Sequence, residues 1–350
     1  MVNICFIGCG KLGQPASEFF KDKGFNVKRV DINDSVEEGV ANCKYVFVAV
    51  PTPHDPDYDG RYECTNLVPK NFDYSIVQEV VEEANKYMNK DQCIVLISTV
   101  LPGTVSKHIA PLASNTNLLY NPYLIAMGTV KQDMETPEMI MIGGDDLWAT
   151  NLERLYKSMY SATRYIKGTF EECESIKIFY NTFITTKITL CNMIQDVAVK
   201  TGNMNVDVVT KALAESTMRI MSTAYMRAGM GDGGACHPRD NIALRWLAKD
   251  LDLGYDMFDT VIRAREVQAK NMAVEILKHG NEVQFSSDSF KPGTDIKDGS
   301  YSILVQSFIK KLGGNVVDTQ PQVYVIVHPE DEYMDNVYNF DPWNNYGNNK

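Results

Sequence analysis

The chain has 350 residues, 44% hydrophobic and 23% charged, with a net charge of −11; this is the composition of a water-soluble globular protein with room for two or three domains. The acidic balance argues against a nucleic-acid partner, whose phosphates need clustered Lys and Arg. No run approaches 18 consecutive apolar residues, so no membrane span is expected.

The opening "MVNICFIGCG" lacks the basic flank and cleavage site of an export signal and reads directly as a strand and its turn. "NICFIG" runs into "GCGKLG" and then the helical stretch "QPASEFFKDKG". Gly8, Gly10 and Gly13 thus fit G-x-G-x-x-G between strand and helix, with Lys11 and Leu12 inside the turn. The first glycine permits the tight turn, the second lets a pyrophosphate approach, and the third allows close helix packing. "NVKRVDIN" supplies a second strand with Asp31 at its end, 18 residues beyond Gly13. A carboxylate there accepts from a ribose 2′-hydroxyl and repels a 2′-phosphate, which favours NAD over NADP.

Further strands follow at "YVFVAVP" (45–51), "CIVLIST" (93–99), "NLLYNP" (117–122) and "MIMIGG" (139–144), with helical stretches between some of them. That alternation predicts a largely parallel, doubly wound sheet, with ligands at the C-terminal strand ends. Pro51, Thr52, Pro53, Ser98 and Thr99 fall on that cofactor side, where each also fits ordinary turn chemistry.

The stretch from 168 to 202 predicts one long helix, opened by the capping box Thr169/Glu172 and stopped by Gly202. At about 32 residues it would span roughly 48 Å, long enough to join domains or build a dimer interface. Glu174, Lys177 and Asn181 share one face, which taken alone reads as an exposed polar stripe with one ion pair. In "GDGGACHPRD" (231–240), Pro238 fits the first position of a helix, with Asp240 in its first turn and Cys236 just outside its N-terminus. The helix dipole there favours thiolate. Cys236 is therefore either a reactive nucleophile or a small packed thiol. The other cysteines (Cys5, Cys9, Cys43, Cys64, Cys93, Cys173 and Cys191) form no C-x-x-C or zinc spacing, as expected of core residues in a reducing compartment such as the cytoplasm.

Taken in order, "FIGCGKLG", "VAVPTP", "STVLPGT", "ESIKIFYNTF", "GDGGACHPRDNIAL" and "FKPGTD" (290–295) resemble the UDP-glucose/GDP-mannose dehydrogenases over most of the chain. The resemblance implies an N-terminal Rossmann-like NAD domain (1–168) and a central all-helical, dimerising domain (169–280). A short C-terminal α/β domain for the nucleotide sugar (281–340) and a disordered tail (341–350) would follow. It implies oxidation of a sugar primary alcohol to the carboxylate with two NAD, UDP-glucose being the first substrate to expect, as in polysaccharide biosynthesis. Cys236 would be the thioester nucleophile and Lys177 the oxyanion stabiliser. Asn181 would hold a hydrogen bond or a water, Asp240 would tune protonation, and Thr99 would position nicotinamide or water. Arg219, Gly233, Phe290 and Lys291 would contact substrate, Arg219 in the neighbouring subunit of a homodimer.

Two departures stand out. Tyr123 and Met127 occupy positions where the family pattern carries glutamates, and neutral Tyr123 is a poor base near pH 7. Asp232 and His237 are candidate substitutes. Lys297 stands roughly where the third domain should carry an arginine. The alternatives are a one-step β-hydroxyacid-type dehydrogenase, which needs no cysteine at 236, and a nucleotide-sugar binder without activity.

Overall fold

The first strand, β1 (Asn3–Ile7), alternates its side chains between two cores: Ile4 and Phe6 enter one, Cys5 and Ile7 the other. A strand buried on both faces belongs in the middle of a parallel sheet. The computed structural model describes residues 2–53, 67–68, 70–125, 129–160, 163–222, 228–230 and 236–344. These divide into two units, Met1–Lys187 and Ile188–Lys350.

In the first unit the strands are β1, β2 (Asn26–Val30), β3 (Tyr45–Val48), β4 (Cys93–Leu96), β5 (Asn117–Tyr120), β6 (Met139–Gly144) and β7 (Arg164–Gly168), in the order β2-β1-β3-β4-β5-β6-β7. Neighbours are parallel except β5 and β6, so the expected doubly wound sheet is present. Helices α1 (Gly13–Asp22), α2 (Val36–Val40), α3 (Ser75–Tyr87), α4 (Val130–Glu135) and α5 (Asp146–Lys157) pack around it. Their buried residues fall at helical spacing: Val77, Val81 and Ala84 on α3, and Ala149, Leu152 and Tyr156 on α5. On the α1 side Phe6 stacks on Phe47 at 4.8 Å and meets Phe20 edge-on. Each such ring contributes about 1.5–3 kcal/mol by leaving water.

The long helix α6 (Phe170–Thr201) has 32 residues and stops at Gly202 with φ +84°, as predicted. The division between the units falls within it.

The second unit continues with α7 (Val206–Ala214), α8 (Cys236–Asp250), α9 (Met257–Leu277), β8 (Glu282–Phe285), α10 (Tyr301–Lys311), β9 (Asn315–Val316), β10 (Val323–Val325) and β11 (Tyr338–Phe340). The four strands form a parallel sheet in the order β11-β10-β8-β9. Its core takes Ala269, Met272, Ala273 and Ile276 from α9, Val305 and Ile309 from α10, and Val283, Val323 and Val325 from the strands.

The tail expected to be disordered from 341 is instead placed through Asn344. The Trp343 indole N–H donates to the Val327 carbonyl at 3.1 Å, and its ring packs against this core. Residues 345–350 lie outside the described residues.

Candidate active site

The sheet order of the first unit reverses between β1 and β3, which opens a crevice at their C-terminal ends. The turn after β1 is shaped by steric need. Gly8 sits at φ +92°, and a Cβ there would approach the Ala49 carbonyl oxygen to 2.8 Å. A Cβ at Gly13 would lie 1.8 Å from the Gly8 oxygen, so only glycine lets α1 start this close. At Gly10 an added Cβ meets nothing within 4 Å, leaving the backbone open to a ligand. Lys11 is exposed and Leu12 packs half-buried on the α1 side. Asp31 is exposed directly after β2.

Across the crevice, Thr52 donates to the Thr99 carbonyl at 2.7 Å and Ser98 to the Val50 carbonyl at 2.6 Å. These two bonds tie the ends of β3 and β4 together, while Pro51 and Pro53 stand exposed. An open glycine backbone at a helix N-terminus, with the exposed Asp31 carboxylate just past the next strand, where one oxygen accepts from the Ile32 N–H at 3.0 Å, fits the pyrophosphate and ribose of NAD.

The N-terminus of α6 is fixed by the predicted capping box. The Thr169 N–H donates to the Glu172 carboxylate at 2.8 Å, and the Glu172 N–H donates to the Thr169 hydroxyl at 3.1 Å. One turn on, the expected exposed stripe with an ion pair is corrected. Glu174 is fully buried, and its carboxylate accepts from the backbone N–H groups of Gly103 (2.6 Å) and Val105 (2.7 Å). Burial pushes its pKa up against the lowering effect of those bonds. Lys177 is half-buried and donates to the Tyr123 carbonyl at 2.7 Å, and burial pulls its ammonium below the ordinary lysine value. Asn181, one turn further, is exposed. The lysine bond explains the shape of the helix start: it engages the loop after β5, whereas Glu174 engages the turn after β4.

Tyr123 turns its ring into the core. Its hydroxyl lies 3.1 Å from that of Tyr156, which in turn donates to the buried Asn121 side chain; the Asn121 amide donates to the Met141 carbonyl at 2.6 Å. Desolvation raises the Tyr123 phenol still further from ionisation. Position 123 therefore offers Lys177 a backbone carbonyl, and its side chain supplies no base. Met127 lies outside the described residues.

In the second unit, Cys236 is the first residue of α8 itself, which makes Pro238 its third and Asp240 its fifth. The predicted start at Pro238 was thus two residues late. Gly233 and Asp232 lie outside the described residues, as does the Cys236 side chain. His237 and Asp240 are exposed on α8, and the His237 carbonyl accepts from the Asn241 amide at 2.8 Å. Arg219 is exposed in the turns after α7.

Phe290 is half-buried after β8, with the exposed Lys291 ammonium 6.0 Å from its ring centre. Lys297 is paired with Asp288 at 2.7 Å and holds that carboxyl below its usual range. A cleft of about 740 Å³ beside these residues is lined by Ser286, Ser289, Asp295, His328, Glu330 and Asp331, among others. Within it the Ser289 hydroxyl lies 3.0 Å from His328 Nε2, and Ser286 donates to Asp331.

Residues 34–161 match the NAD binding domain of the UDP-glucose/GDP-mannose dehydrogenase family, and residues 171–266 match that family's central domain. The chain belongs to this family. Its members are NAD-dependent nucleotide-sugar 6-dehydrogenases acting on CH–OH groups; the chain is such an oxidoreductase, with NAD as its cofactor. The glycine turn at 8–13 precedes the matched stretch and rests on its own geometry.

Among curated relatives, UDP-glucose 6-dehydrogenase YwqF of Bacillus subtilis is 24% identical over 322 residues, covering 88% of this chain and 69% of that protein. UDP-glucose 6-dehydrogenase of Rickettsia prowazekii is 25% identical over 333 residues, covering 84% and 75%. In fold, the chain superposes on the GDP-mannose dehydrogenase of Pseudomonas aeruginosa, crystallised as a ternary complex, with a TM-score of 0.84. That likeness covers 97% of this chain and 96% of the other at 20% identity.

Glu174 and the direction of the Tyr123 side chain were missed by sequence reasoning. Glu174 follows the buried Cys173 and precedes the packed Ile176, an apolar setting that could have marked it as inward-facing.

Proposed function

We propose that the chain oxidises the C6 primary alcohol of a nucleotide sugar, with UDP-glucose first among candidates, to the carboxylate by way of Cys236. The observation that carries this reading is Lys177: a desolvated ammonium held at the Tyr123 carbonyl, on the helix face it shares with Asn181. Such a cation stabilises developing oxyanions far better than a hydrated one.

Bound NAD supplies the hydride acceptor for both oxidations. The Cys236 thiolate adds to the aldehyde carbon, its electron pair forming the C–S bond while the carbonyl oxygen becomes a thiohemiacetal oxyanion, the charge that Lys177 is proposed to stabilise. Oxidation of that adduct leaves a thioester; water then adds, the C–S bond breaks, and acid and thiol are released. Asn181 positions a hydrogen-bonded group or water, Asp240 adjusts protonation, and Thr99 orients the nicotinamide. Arg219, Gly233, Phe290 and Lys291 contact the substrate.

The domain division 1–168, 169–280 and 281–340 belongs to the same proposal, as does a homodimer formed through α6. Phe179 (63% exposed) and Phe183 (54%), one turn apart on α6, support the dimer, because apolar residues this bare on one face favour its being covered. Described cysteines Cys5, Cys9, Cys43, Cys93, Cys173 and Cys191 are free thiols, which supports a reducing compartment such as the cytoplasm. No helix among the described residues is long and apolar enough to cross a membrane.

The test is NADH stoichiometry with product mass. Two NADH per UDP-glucose with UDP-glucuronate as product supports the proposal, and Cys236→Ser should abolish acid formation. One NADH with aldehyde accumulating overturns it.

A further inference from the structure

Glu174 is the only buried carboxylate among the described residues. Its removal from water costs several kcal/mol unless donors replace the lost hydration. The donors are backbone: Gly103 N–H on one oxygen and Val105 N–H on the other. These amides open the helical stretch Val105–Leu112, so the carboxylate caps it from a distant part of the chain. The ionisable side chains felt around it include Glu171, Cys173 and Tyr120, and the exposed Lys107 ammonium stands beside the same turn, 3.7 Å from where a Cβ on Gly103 would lie. With both oxygens engaged and no exposure, Glu174 is not placed to act as a base on substrate.

Its neighbours are what make it informative. The turn it holds begins four residues beyond Thr99, in the segment that leaves the end of β4 bordering the cofactor crevice. On α6 it lies three residues, about 4.5 Å of rise, before Lys177 on the same face. The helix is therefore stitched at two successive points, through Glu174 to the turn after β4 and through Lys177 to the loop after β5.

We propose that Glu174 is a positioning residue: it locks the 103–105 turn to α6 and thereby sets where the Lys177 ammonium stands. This rests on the reading of Lys177 as the oxyanion-stabilising group. A glutamine would fill the same volume with one acceptor fewer and would aim an N–H₂ at a backbone N–H. An alanine would leave both amides unpaired.

The experiment uses the full chain and two readouts. Amide hydrogen exchange over residues 101–109 should rise at least tenfold in Glu174→Gln at Gly103 and Val105. In steady-state assays with UDP-glucose and NAD, kcat should fall about tenfold in Glu174→Gln and about a hundredfold in Glu174→Ala, with KM for NAD within twofold. Where Glu174→Ala fails to fold, Glu174→Gln decides.

The Glu174→Gln/Lys177→Ala double variant should be no slower than Lys177→Ala alone, because a residue acting through the lysine has nothing left to position. Full multiplication of the two losses overturns the proposal, as does wild-type exchange and kcat in Glu174→Gln. If the wild-type chain makes no NADH from any nucleotide sugar, the functional reading fails, and the exchange result alone judges the lock.

Discussion

The two units each carry a sheet, largely parallel in the first and parallel in the second, whose strand order reverses at β1/β3 and at β8/β10, and the two crevices are finished differently. The first is made of backbone: glycines at van der Waals limits, and hydroxyls spent on carbonyls at strand ends. The second is made of side chains, with Ser286 on Asp331, Ser289 on His328, and carboxylates at Asp295 and Glu330 along its wall. Topology puts a ligand site at a switch point, but the residues decide what charge it welcomes. A glycine backbone at a helix N-terminus suits phosphate; a carboxylate-lined wall repels it.

The largest effect that would test this contrast is Gly13→Ala. With a backbone oxygen 1.8 Å from the new Cβ, the first unit should lose about 3 kcal/mol or more, read as a collapse of the urea midpoint. Gly293→Ala, in the second crevice, meets open space and only the strain of φ +71°; it should cost about 1 kcal/mol.

Next comes Tyr156→Phe, which strips Asn121 of its donor inside the core and should cost about 2 kcal/mol in the same assay. Asp31→Ala should raise KM for NAD about tenfold, ~1.4 kcal/mol, and narrow the preference over NADP. If NAD binding is unchanged, the ribose role of Asp31 is wrong.

The smallest effect belongs to the acidic wall. Asp295→Asn should lower KM for the nucleotide sugar about threefold at low ionic strength and less at high salt. A change of opposite sign would mean the wall meets donors of the ligand, not its phosphates.

A pH experiment sharpens the Glu174 picture. Its folded pKa is raised, so the folded chain holds this proton more tightly than the unfolded one. Its contribution to stability is greatest below the ordinary carboxylate value and is lost as pH climbs from there through the folded pKa. The difference in unfolding midpoint between wild type and Glu174→Gln should follow that slope.

Much of the first unit was legible because its signals are local. The short apolar run of β1, the glycine spacing and the Thr169/Glu172 box each act over a few residues, and each appears where expected. The strands at 45–48 and 93–96 are shorter than the apolar runs that announced them, and past the end of the second the Ser98 hydroxyl turns onto the Val50 carbonyl. The two-residue β9 and three-residue β11 carry too few side chains for any periodicity to announce them. Glu174 illegibly resembles a surface residue in the sequence, since its partners are backbone amides 69 and 71 residues away. Which way the Tyr123 ring points depends on Tyr156 and Asn121, neither of which any motif mentions.

That ring also bears on ancestry and repair. A chain that once held glutamate at position 123 could not regain it by one substitution. The returning carboxylate would inherit a slot packed against Tyr156 and the α1–α5 core, and the aromatic volume would be left empty behind it. The reverse change is thus guarded by packing, and any engineered restoration of a base must begin with the neighbours, Tyr156 and Tyr160, before the site itself is touched.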